Sequence, residues 1–135
     1  MTVRIATALL DRILAHAAAT PDQEVCGLLF GTATAIEAAE PAANVAEAPA
    51  RAFEIDPKAL FAAIRAERRG GPRIVGHYHS HPSGDPIPSP RDAAAAGETG
   101  PLWLIVAGGR AAAYRAEAGG LIHDAFAPVR LTLLT

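Results

Sequence analysis

Hydrophobic and polar positions alternate with two different periods in the first third of the chain, which predicts short strands separated by a helix. Val3 to Ile5 is compatible with a short strand, and further strands are predicted from Val25 to Phe30 and within Thr34 to Ala39. Between the first two strands, hydrophobic residues at helical spacing end before Pro21. The predicted helical face consists of Leu9, Leu10, Ile13, Leu14 and Ala17.

The middle of the chain predicts a loop followed by a helix. Pro41 to Ala50 is rich in alanine and proline and should be a loop, whereas Phe53 to Ile55 should be extended. Asp56 is a candidate N-cap with Pro57 in the first helical position, and the helix should end at Gly70-Gly71. The predicted buried face of this helix is Leu60, Phe61 and Ile64.

Strands dominate the remainder. Ile74 to His79 is a predicted strand, and a short helix should begin at Ser89. Hairpin turns at Gly108-Gly109 and Gly119-Gly120 should then separate three strands, which are Leu102 to Val106, Ala111 to Tyr114 and Leu121 to Phe126. Alternating helices and strands predict an α/β fold, in which residues 1–135 form a single-domain mixed β-sheet flanked by helices.

Composition restricts the class of protein further. Half of the 135 residues are hydrophobic, many of them alanine, so the core should be tightly packed with few aromatic side chains. A single cysteine excludes an internal disulfide bond. The chain has no charged-then-apolar leader, and no apolar run approaches the roughly 18 residues of a membrane span. We therefore expect a cytoplasmic protein with no membrane partner.

The charge of the chain gives little indication of a polyanionic partner. A net charge of −2 provides no general attraction to nucleic acid or to an anionic membrane, so a nucleic-acid partner is not expected. One basic cluster leaves two interpretations open. It favours a solvated helix end, where basic side chains suit the C-terminal dipole, but an acidic partner would also fit. The cluster comprises Arg65, Arg68, Arg69 and Arg73.

The candidate functional residues lie at and after the end of the predicted strand Ile74 to His79. Alternate side chains of an extended segment face the same way, so His79 and His81 can approach one metal ion together. Asp92 would return as a third ligand after a loop with four prolines at positions 82, 86, 88 and 90, whose fixed φ angles restrict wandering. Catalytic zinc sites supply three protein ligands and leave a fourth position open. The spacing therefore predicts a hydrolytic zinc site.

Ser89 and Glu24 each allow two interpretations. Ser89, Pro90 and Asp92 form an ordinary helix start, yet the same rigid start could present the Ser89 hydroxyl to a developing oxyanion. Glu24 stands at the mouth of an apolar strand, where it is either an exposed strand end or a buried carboxylate that needs a cation nearby.

With these residues together, the chain resembles the JAMM (MPN+) metalloprotease family. The family pattern is a glutamate on an early strand, then His-x-His, seven residues, Ser, two residues and Asp, and this chain matches it without departure. The matching residues are Glu24, His79, His81, Ser89 and Asp92. Further agreement lies in Glu24 to Gly31, Phe53 to Pro57 and Val75 to Pro82.

The resemblance implies a cytidine-deaminase-like JAB/MPN fold and a set of roles. His79, His81 and Asp92 would bind Zn²⁺, Glu24 would be the general base, and Ser89 would assist the oxyanion. The family hydrolyses peptide or isopeptide bonds after the C-terminal glycine of ubiquitin or ubiquitin-like proteins. In a chain with little room for insertions, the preferred partner is the tail of a small ubiquitin-like or sulfur-carrier protein, which would pair with a strand edge.

Two other classes remain as alternatives. The proline-rich loop also resembles the RadC-type branch of the superfamily, which is associated with DNA repair, although no broad basic surface supports that reading. A non-catalytic MPN scaffold should lack ligands, and this chain lacks none. A zinc deaminase is disfavoured because the Pro-Cys-x-x-Cys element is missing.

Three neighbours of the predicted site need separate interpretation. Cys26 shares the face of Glu24, but we expect a small buried thiol and exclude it as a ligand. His77 shares the face of His79, yet three ligands and a water leave it no coordination vacancy. Tyr78 faces the other way and should belong to the core.

Overall fold

The computed structural model describes residues Met1–Thr135, which form seven strands and three helices. No helix is both long and apolar enough to cross a membrane. The strands are β1 (Thr2–Ala6), β2 (Cys26–Thr32), β3 (Ala35–Ala42), β4 (Ile74–Ser80), β5 (Leu102–Ala107), β6 (Arg110–Ala116) and β7 (Phe126–Leu134). The helices are α1 (Thr7–Ala19), α2 (Pro57–Arg68) and α3 (Pro90–Ala95).

All seven strands belong to one mixed sheet in the order β1-β3-β2-β4-β5-β6-β7. Strand β1 runs parallel to both β3 and β7, and β4 runs parallel to β5, whereas the other neighbours are antiparallel. Pairing of β7 with β1 closes the sheet into a barrel. The mixed sheet with flanking helices confirms the predicted fold class, and the closure removes the exposed sheet edges that an open arrangement would leave.

The core lies on two faces of the sheet. Helix α1 packs its apolar face, Leu9, Leu10 and Ile13, against the larger cluster of buried side chains. Strand β5 contributes alternate residues to both clusters, with Leu104 in the larger one and Trp103 in a second cluster of five buried residues. Because β5 is buried on both faces, it reads as a continuous hydrophobic run.

Helix α2 departs from the prediction that its apolar face is buried. Asp56 caps it, with its side chain accepting a hydrogen bond from the Lys58 amide at 3.0 Å, and Pro57 opens it as predicted. However, no residue of α2 is fully buried, and Phe61 is 56% exposed while Leu60 and Ile64 are half-buried. Helical periodicity identifies the apolar face but not whether another element covers it, which is why the prediction for Phe61 was wrong.

The last strand also differs from its prediction. Residues 121–125 form a turn, because His123 and Asp124 both adopt left-handed φ angles of 51° and 57° and the Ala125 amide donates to Ile122. Leu121 is 91% exposed, and the strand begins only at Phe126. The prediction of a strand was wrong because nothing in the hydrophobicity of this run indicates a turn with positive φ angles in residues other than glycine. Strand β3 likewise extends to Ala42, into the predicted loop.

Candidate metal centre

Strand β4 fixes both histidines of the predicted site from its central position. His79 lies between Cys26 of β2 and Ile105 of β5, and its side chain is completely buried. The amide of His81 donates to the carbonyl oxygen of Val106 at 2.9 Å, which continues the β4–β5 pairing one residue past the strand. The backbone of both residues is therefore held by neighbouring strands, so their imidazoles start from a rigid support.

Three candidate ligand atoms meet at the end of this strand. Nε2 of His79 and Nε2 of His81 are 3.0 Å apart. Oδ2 of Asp92 lies 3.3 Å from the first nitrogen and 3.0 Å from the second. Ligands that surround zinc tetrahedrally at about 2.0–2.2 Å are separated by about 3.3–3.6 Å, slightly more than the distances here. The three atoms thus have nearly the mutual spacing of one face of a tetrahedral zinc site.

The second nitrogen of each imidazole indicates how the rings are oriented. Nδ1 of His81 lies 2.9 Å from the carbonyl oxygen of Asp85, so Nδ1 carries a proton and Nε2 is the nitrogen that faces the other candidate ligands. Nδ1 of His79 is buried without a hydrogen-bond partner. The ring of His79 is instead held by stacking on Phe53, with centroids 4.2 Å apart and planes inclined by 18°.

Asp92 reaches the histidines from the first turn of α3. The Ser89 hydroxyl oxygen accepts a hydrogen bond from the Asp92 amide at 3.0 Å, and the Ser89 amide donates to Asp92 Oδ2 at 3.0 Å. This reciprocal capping box fixes the Asp92 carboxylate. Since the serine oxygen acts here only as an acceptor, its proton is free to be donated elsewhere, and the N-cap interpretation and the oxyanion interpretation are compatible.

The loop that returns Asp92 is held through its carbonyl oxygens. Prolines at positions 82, 86, 88 and 90 remove backbone donors, so this segment cannot support itself by regular hydrogen bonding. Four side chains bind its carbonyl groups instead, one from the residue just before the loop and three from distant segments. Arg110 donates to Gly84 at 2.9 Å, His81 to Asp85 at 2.9 Å, Tyr114 to Pro86 at 2.8 Å and His123 to Pro88 at 3.0 Å.

Glu24 approaches the two histidines from the backbone just before β2, where Glu24 and Val25 precede the first strand residue, Cys26. One of its carboxylate oxygens and one nitrogen of each of His79 and His81 all lie within 4.8 Å of one another. The residue is only 7% exposed, and its Oε1 atom is buried without a hydrogen-bond partner. The interpretation of Glu24 as an exposed strand end was therefore wrong. A buried carboxylate oxygen without a partner fits a site that holds a cation and a polar reactant.

Asp92 and Glu24 play unequal parts in this arrangement. Both are within reach of the imidazoles, but Asp92 lies closer, at 3.0–3.3 Å, and is oriented by the Ser89 amide. Glu24 has one ligand atom within 4.8 Å of both imidazoles, but its Oε1 has no hydrogen-bond partner. Asp92 is therefore a candidate third ligand, and Glu24 is a candidate for a second carboxylate beside it.

The pKa values of the two carboxylates are shifted in opposite directions. Burial raises the pKa of Glu24 to about 7, against a smaller opposing effect of His81. Burial alone would also raise the pKa of Asp92. Hydrogen bonds from His79 and His81 lower this pKa by more than burial raises it, so the pKa of Asp92 is well below its usual range. Asp92 is thus a permanent anion, as a metal ligand must be, whereas Glu24 can exchange a proton near neutral pH.

The two histidines differ for a similar reason. Burial lowers the pKa of His79 and outweighs the effect of Asp92, which keeps that imidazole neutral. For His81, burial also lowers the pKa, but hydrogen bonds to Asp92 and to the Asp85 carbonyl outweigh it and raise the pKa overall. Metal binding at this centre would have to displace a proton that His81 shares with Asp92.

The remaining neighbours behave largely as predicted. Burial and then the charge of Glu24 raise the pKa of Cys26 to about 11, and its thiol points to the Ala42 and Ala43 carbonyls, 3.6 and 3.7 Å away. His77 packs against Trp103, with ring centroids 4.4 Å apart, and burial lowers its pKa to about 3. Tyr78 is buried in the core, where its hydroxyl lies 2.6 Å from His16 Nδ1.

Four residues of the site's surroundings carried no recognisable signal in the sequence: Asn44, Phe53 as a stacking partner, Tyr114 and His123. Each acts through a contact to a distant segment, such as the hydrogen bonds of Asn44 to Glu24 and of Tyr114 to Pro86. Local patterning contains no information on such contacts. The presence of one asparagine in an alanine- and proline-rich stretch was the only available indication.

Comparison with known proteins finds named relatives of this chain. A desampylase from Haloferax volcanii is 43% identical over 101 residues, covering 70% of this chain and 73% of the desampylase. A probable TtuB-protein conjugate cleaving protease from Thermus thermophilus is 39% identical over 84 residues. That match covers 62% of this chain and 56% of the Thermus protein.

Solved structures agree on the fold. A protein from Desulfitobacterium hafniense superimposes with a TM-score of 0.81 at 23% identity, covering 98% of this chain and 93% of that one. A JAB1/MPN domain protein from Archaeoglobus fulgidus superimposes with a TM-score of 0.60 at 21% identity, covering 98% of both chains. At these identities the likeness concerns the fold alone, and it confirms the predicted JAB/MPN fold.

The family assignment rests on a longer match. A family described as prokaryotic homologs of the JAB domain matches residues 6–122, which is most of the 135 residues and includes Glu24, His79, His81, Ser89 and Asp92. The chain belongs to the family of prokaryotic homologues of the JAB domain.

Proposed function

We propose that this protein is a JAMM-type zinc metallopeptidase, contained in one domain of residues 1–135, that hydrolyses a peptide or isopeptide bond after the C-terminal glycine of a ubiquitin-like or sulfur-carrier protein. The observation that carries the proposal is the meeting of three ligand atoms at 3.0–3.3 Å beside a buried carboxylate oxygen without a partner. An unpaired buried carboxylate oxygen is costly in a purely structural core, which favours a site that holds a cation and a polar reactant.

In this proposal His79, His81 and Asp92 hold the metal. Two neutral imidazole nitrogens and one carboxylate oxygen are the donor set of many catalytic zinc sites. A zinc ion bound there would lower the pKa of a water molecule from about 15.7 to near 7 and would polarise a substrate carbonyl. The Asp85 carbonyl orients His81 for this task, and Phe53 orients His79.

Glu24 and Ser89 then handle the proton and the developing charge. Glu24, with its pKa raised to about 7, accepts a proton from the attacking water and returns it to the leaving amine. The Ser89 hydroxyl donates to the carbonyl oxygen as negative charge grows there. No covalent intermediate with the enzyme is needed, which agrees with a Cys26 thiol whose pKa is raised to about 11.

The choice of substrate rests on the relatives and on one cleft. The two named relatives are a desampylase and a probable TtuB-protein conjugate cleaving protease, so a ubiquitin-like conjugate is the best-supported substrate class. A cleft of about 500 Å³ has His77, Leu60 and Leu102 among its lining residues, and although no proposed site residue lines it, the His77 ring centroid lies 6.4 Å from that of His79. In this proposal a narrow glycine tail approaches the metal centre past His77, without the strand-edge pairing expected from the sequence, because the closed barrel leaves no free sheet edge.

The experiment that tests this proposal uses one folded ubiquitin-like carrier ending in Gly-Gly, joined through its last glycine to several different amines. Zinc-loaded protein should release each amine, and intact mass should place every cut after the last glycine. Replacing that glycine with phenylalanine should reduce turnover strongly, whereas changing the amine should matter less. Glu24→Gln should lower kcat by about 10²–10⁴-fold, because an amide cannot accept the water proton.

Three results would point to other functions. Efficient cleavage of unfolded peptides without glycine would indicate a general peptidase. Nicking of DNA without cleavage of any carrier would favour the RadC-like alternative. Zinc binding without hydrolysis of any substrate would favour a non-catalytic scaffold.

A further inference from the structure

The segment between β3 and α2 is organised by one side chain. Residues 43–56 contain no helix or strand. One isolated antiparallel β-bridge joins Asn44 and Ile55. The Asn44 amide group nevertheless makes four hydrogen bonds. Its nitrogen donates to the carbonyl oxygens of Glu24 at 2.8 Å and Ala52 at 3.0 Å. Its oxygen accepts from the amides of Ala46 and Glu54, both at 3.0 Å.

Together with this segment, Asn44 holds the backbone of Glu24 on both sides. The Glu24 carbonyl oxygen accepts the hydrogen bond from Asn44, and the Glu24 amide donates to the carbonyl oxygen of Pro49 at 2.7 Å. The next residue is held as well, since the Val25 amide donates to the Ser80 hydroxyl at 2.8 Å. Glu24 lies before the first residue of β2, so these bonds replace the strand pairing that it lacks.

The chemistry of the contacts requires an asparagine. A primary amide offers two donors and two acceptor positions, and all four are used here. Aspartate has the same shape but cannot donate to the Glu24 and Ala52 carbonyls. Since every polar group of Asn44 is engaged with the backbone of this chain, none remains for a substrate or a metal. Any effect of Asn44 on the reaction must therefore act through other residues.

We propose that Asn44 is a positioning residue that sets where the Glu24 carboxylate lies relative to the imidazoles of His79 and His81. This inference rests on the proposed role of Glu24 as the base. The same segment carries Phe53, which stacks on His79 at 4.2 Å, so the zinc content of the Asn44 variants shows whether His79 has stayed in place. A general base works only within hydrogen-bond reach of the proton that it abstracts, which makes small displacements costly.

The kinetic test compares Asn44→Asp and Asn44→Ala with the wild type, at a temperature well below unfolding of all variants. Both changes should lower kcat by about 10²-fold, as expected for a displacement of about 1 Å, with little change in KM. Zinc content should stay at the wild-type level. Thr99→Ala serves as the control. It removes the hydroxyl that accepts a hydrogen bond from the Ala118 amide, a contact between two loops that involves no proposed site residue, and it should leave kcat unchanged.

A double variant distinguishes positioning from a general structural role. If Asn44 acts through Glu24, then Asn44→Ala combined with Glu24→Gln should lose no more activity than Glu24→Gln alone. Additive losses in the double variant, or a normal kcat in both single variants, would overturn the proposal.

A second readout does not depend on activity. Amide hydrogen exchange of Glu24 should become at least about 10-fold faster in both Asn44 variants, while exchange within β2 and in Thr99→Ala stays at the wild-type rate. Unchanged exchange of the Glu24 amide would refute the positioning role. If the wild type cleaves no carrier, the proposed function fails, and this exchange measurement alone decides whether Asn44 holds Glu24.

Discussion

At the scale of single residues, Glu24 combines burial with an unpartnered oxygen, and this has a consequence for stability. Its pKa in the folded protein, about 7, lies above its usual value of 4.5 because of burial. The folded state therefore binds this proton more tightly than the unfolded state does. The stabilising contribution is complete below pH 4.5 and is lost as the pH rises through about 7.

This linkage can be measured in protein freed of metal by a chelator. The free energy of unfolding of wild type, relative to Glu24→Gln, should fall as the pH rises from about 4.5 to about 7 and then level off. Glutamine keeps the shape of the side chain without the titration, so the comparison isolates this one group. A difference between the two proteins that is constant across this range would show that Glu24 is not held in a desolvated position.

Ser89 has two tasks that substitution can separate. Ser89→Ala removes both the N-cap and the hydroxyl proton, so it should destabilise the protein by about 1 kcal/mol. It should also lower kcat by about 10²-fold. Ser89→Thr keeps a hydroxyl and a capping oxygen, and should retain most of both properties. A normal kcat in Ser89→Ala, measured on fully folded protein, would leave Ser89 with its capping role alone.

The motif residues could be predicted from the sequence because their spacing is local. A period of two on an extended segment places His79 beside His81, and a capped helix start fixes Asp92. Asn44 could not be predicted, since its value depends on a partner twenty residues away in sequence, the Glu24 carbonyl. The burial of Glu24 was likewise undecided until the surrounding segments were in place.

At the scale of structural elements, the proline-rich loop depends on side chains from the sheet. The buried Tyr114 hydroxyl of β6 donates to the Pro86 carbonyl oxygen at 2.8 Å. Tyr114→Phe keeps the ring and removes this bond, leaving a buried carbonyl without a partner, which should cost about 1–3 kcal/mol of unfolding free energy. Because the same loop carries Asp92 back to the histidines, zinc affinity should also fall, by about 10-fold or more.

Calorimetric titration with zinc and chemical denaturation would check both effects. Phe61→Ala provides a control, because this side chain is 56% exposed on α2 and lies outside the loop. That variant should retain zinc affinity. If Tyr114→Phe binds zinc as the wild type does, the loop holds its shape without the tyrosine.

Two elements show where patterning was insufficient. The sequence identified the apolar face of α2. It could not show that this face is left partly exposed, with no residue of the helix fully buried. The stretch at residues 121–125 has the hydrophobicity of a strand, yet it folds as a turn that directs His123 toward the Pro88 carbonyl oxygen at 3.0 Å. At residues 121–125 a contact between distant segments overrides the local preference, whereas on α2 no distant segment covers the apolar face.

At the scale of the whole molecule, the closed sheet explains why the centre can be rigid in a short chain. Strand β4 lies between β2 and β5, so residues that precede β2 and residues that follow β4 meet at one end of the barrel. The mixed sheet and its helices could be predicted from alternating periodicities. Closure through the parallel pair of β1 and β7 could not, because it joins the two ends of the chain.

The most direct measurement of the central claim is the zinc content of purified protein after reconstitution and removal of free metal. Elemental analysis should find about one zinc ion per chain in the wild type and in Glu24→Gln, since Glu24 is not a ligand in this account. His79→Ala should retain almost none, while circular dichroism verifies that it is folded. Wild-type protein that takes up no stoichiometric zinc, or a folded His79→Ala that binds it fully, would contradict the metal centre described above.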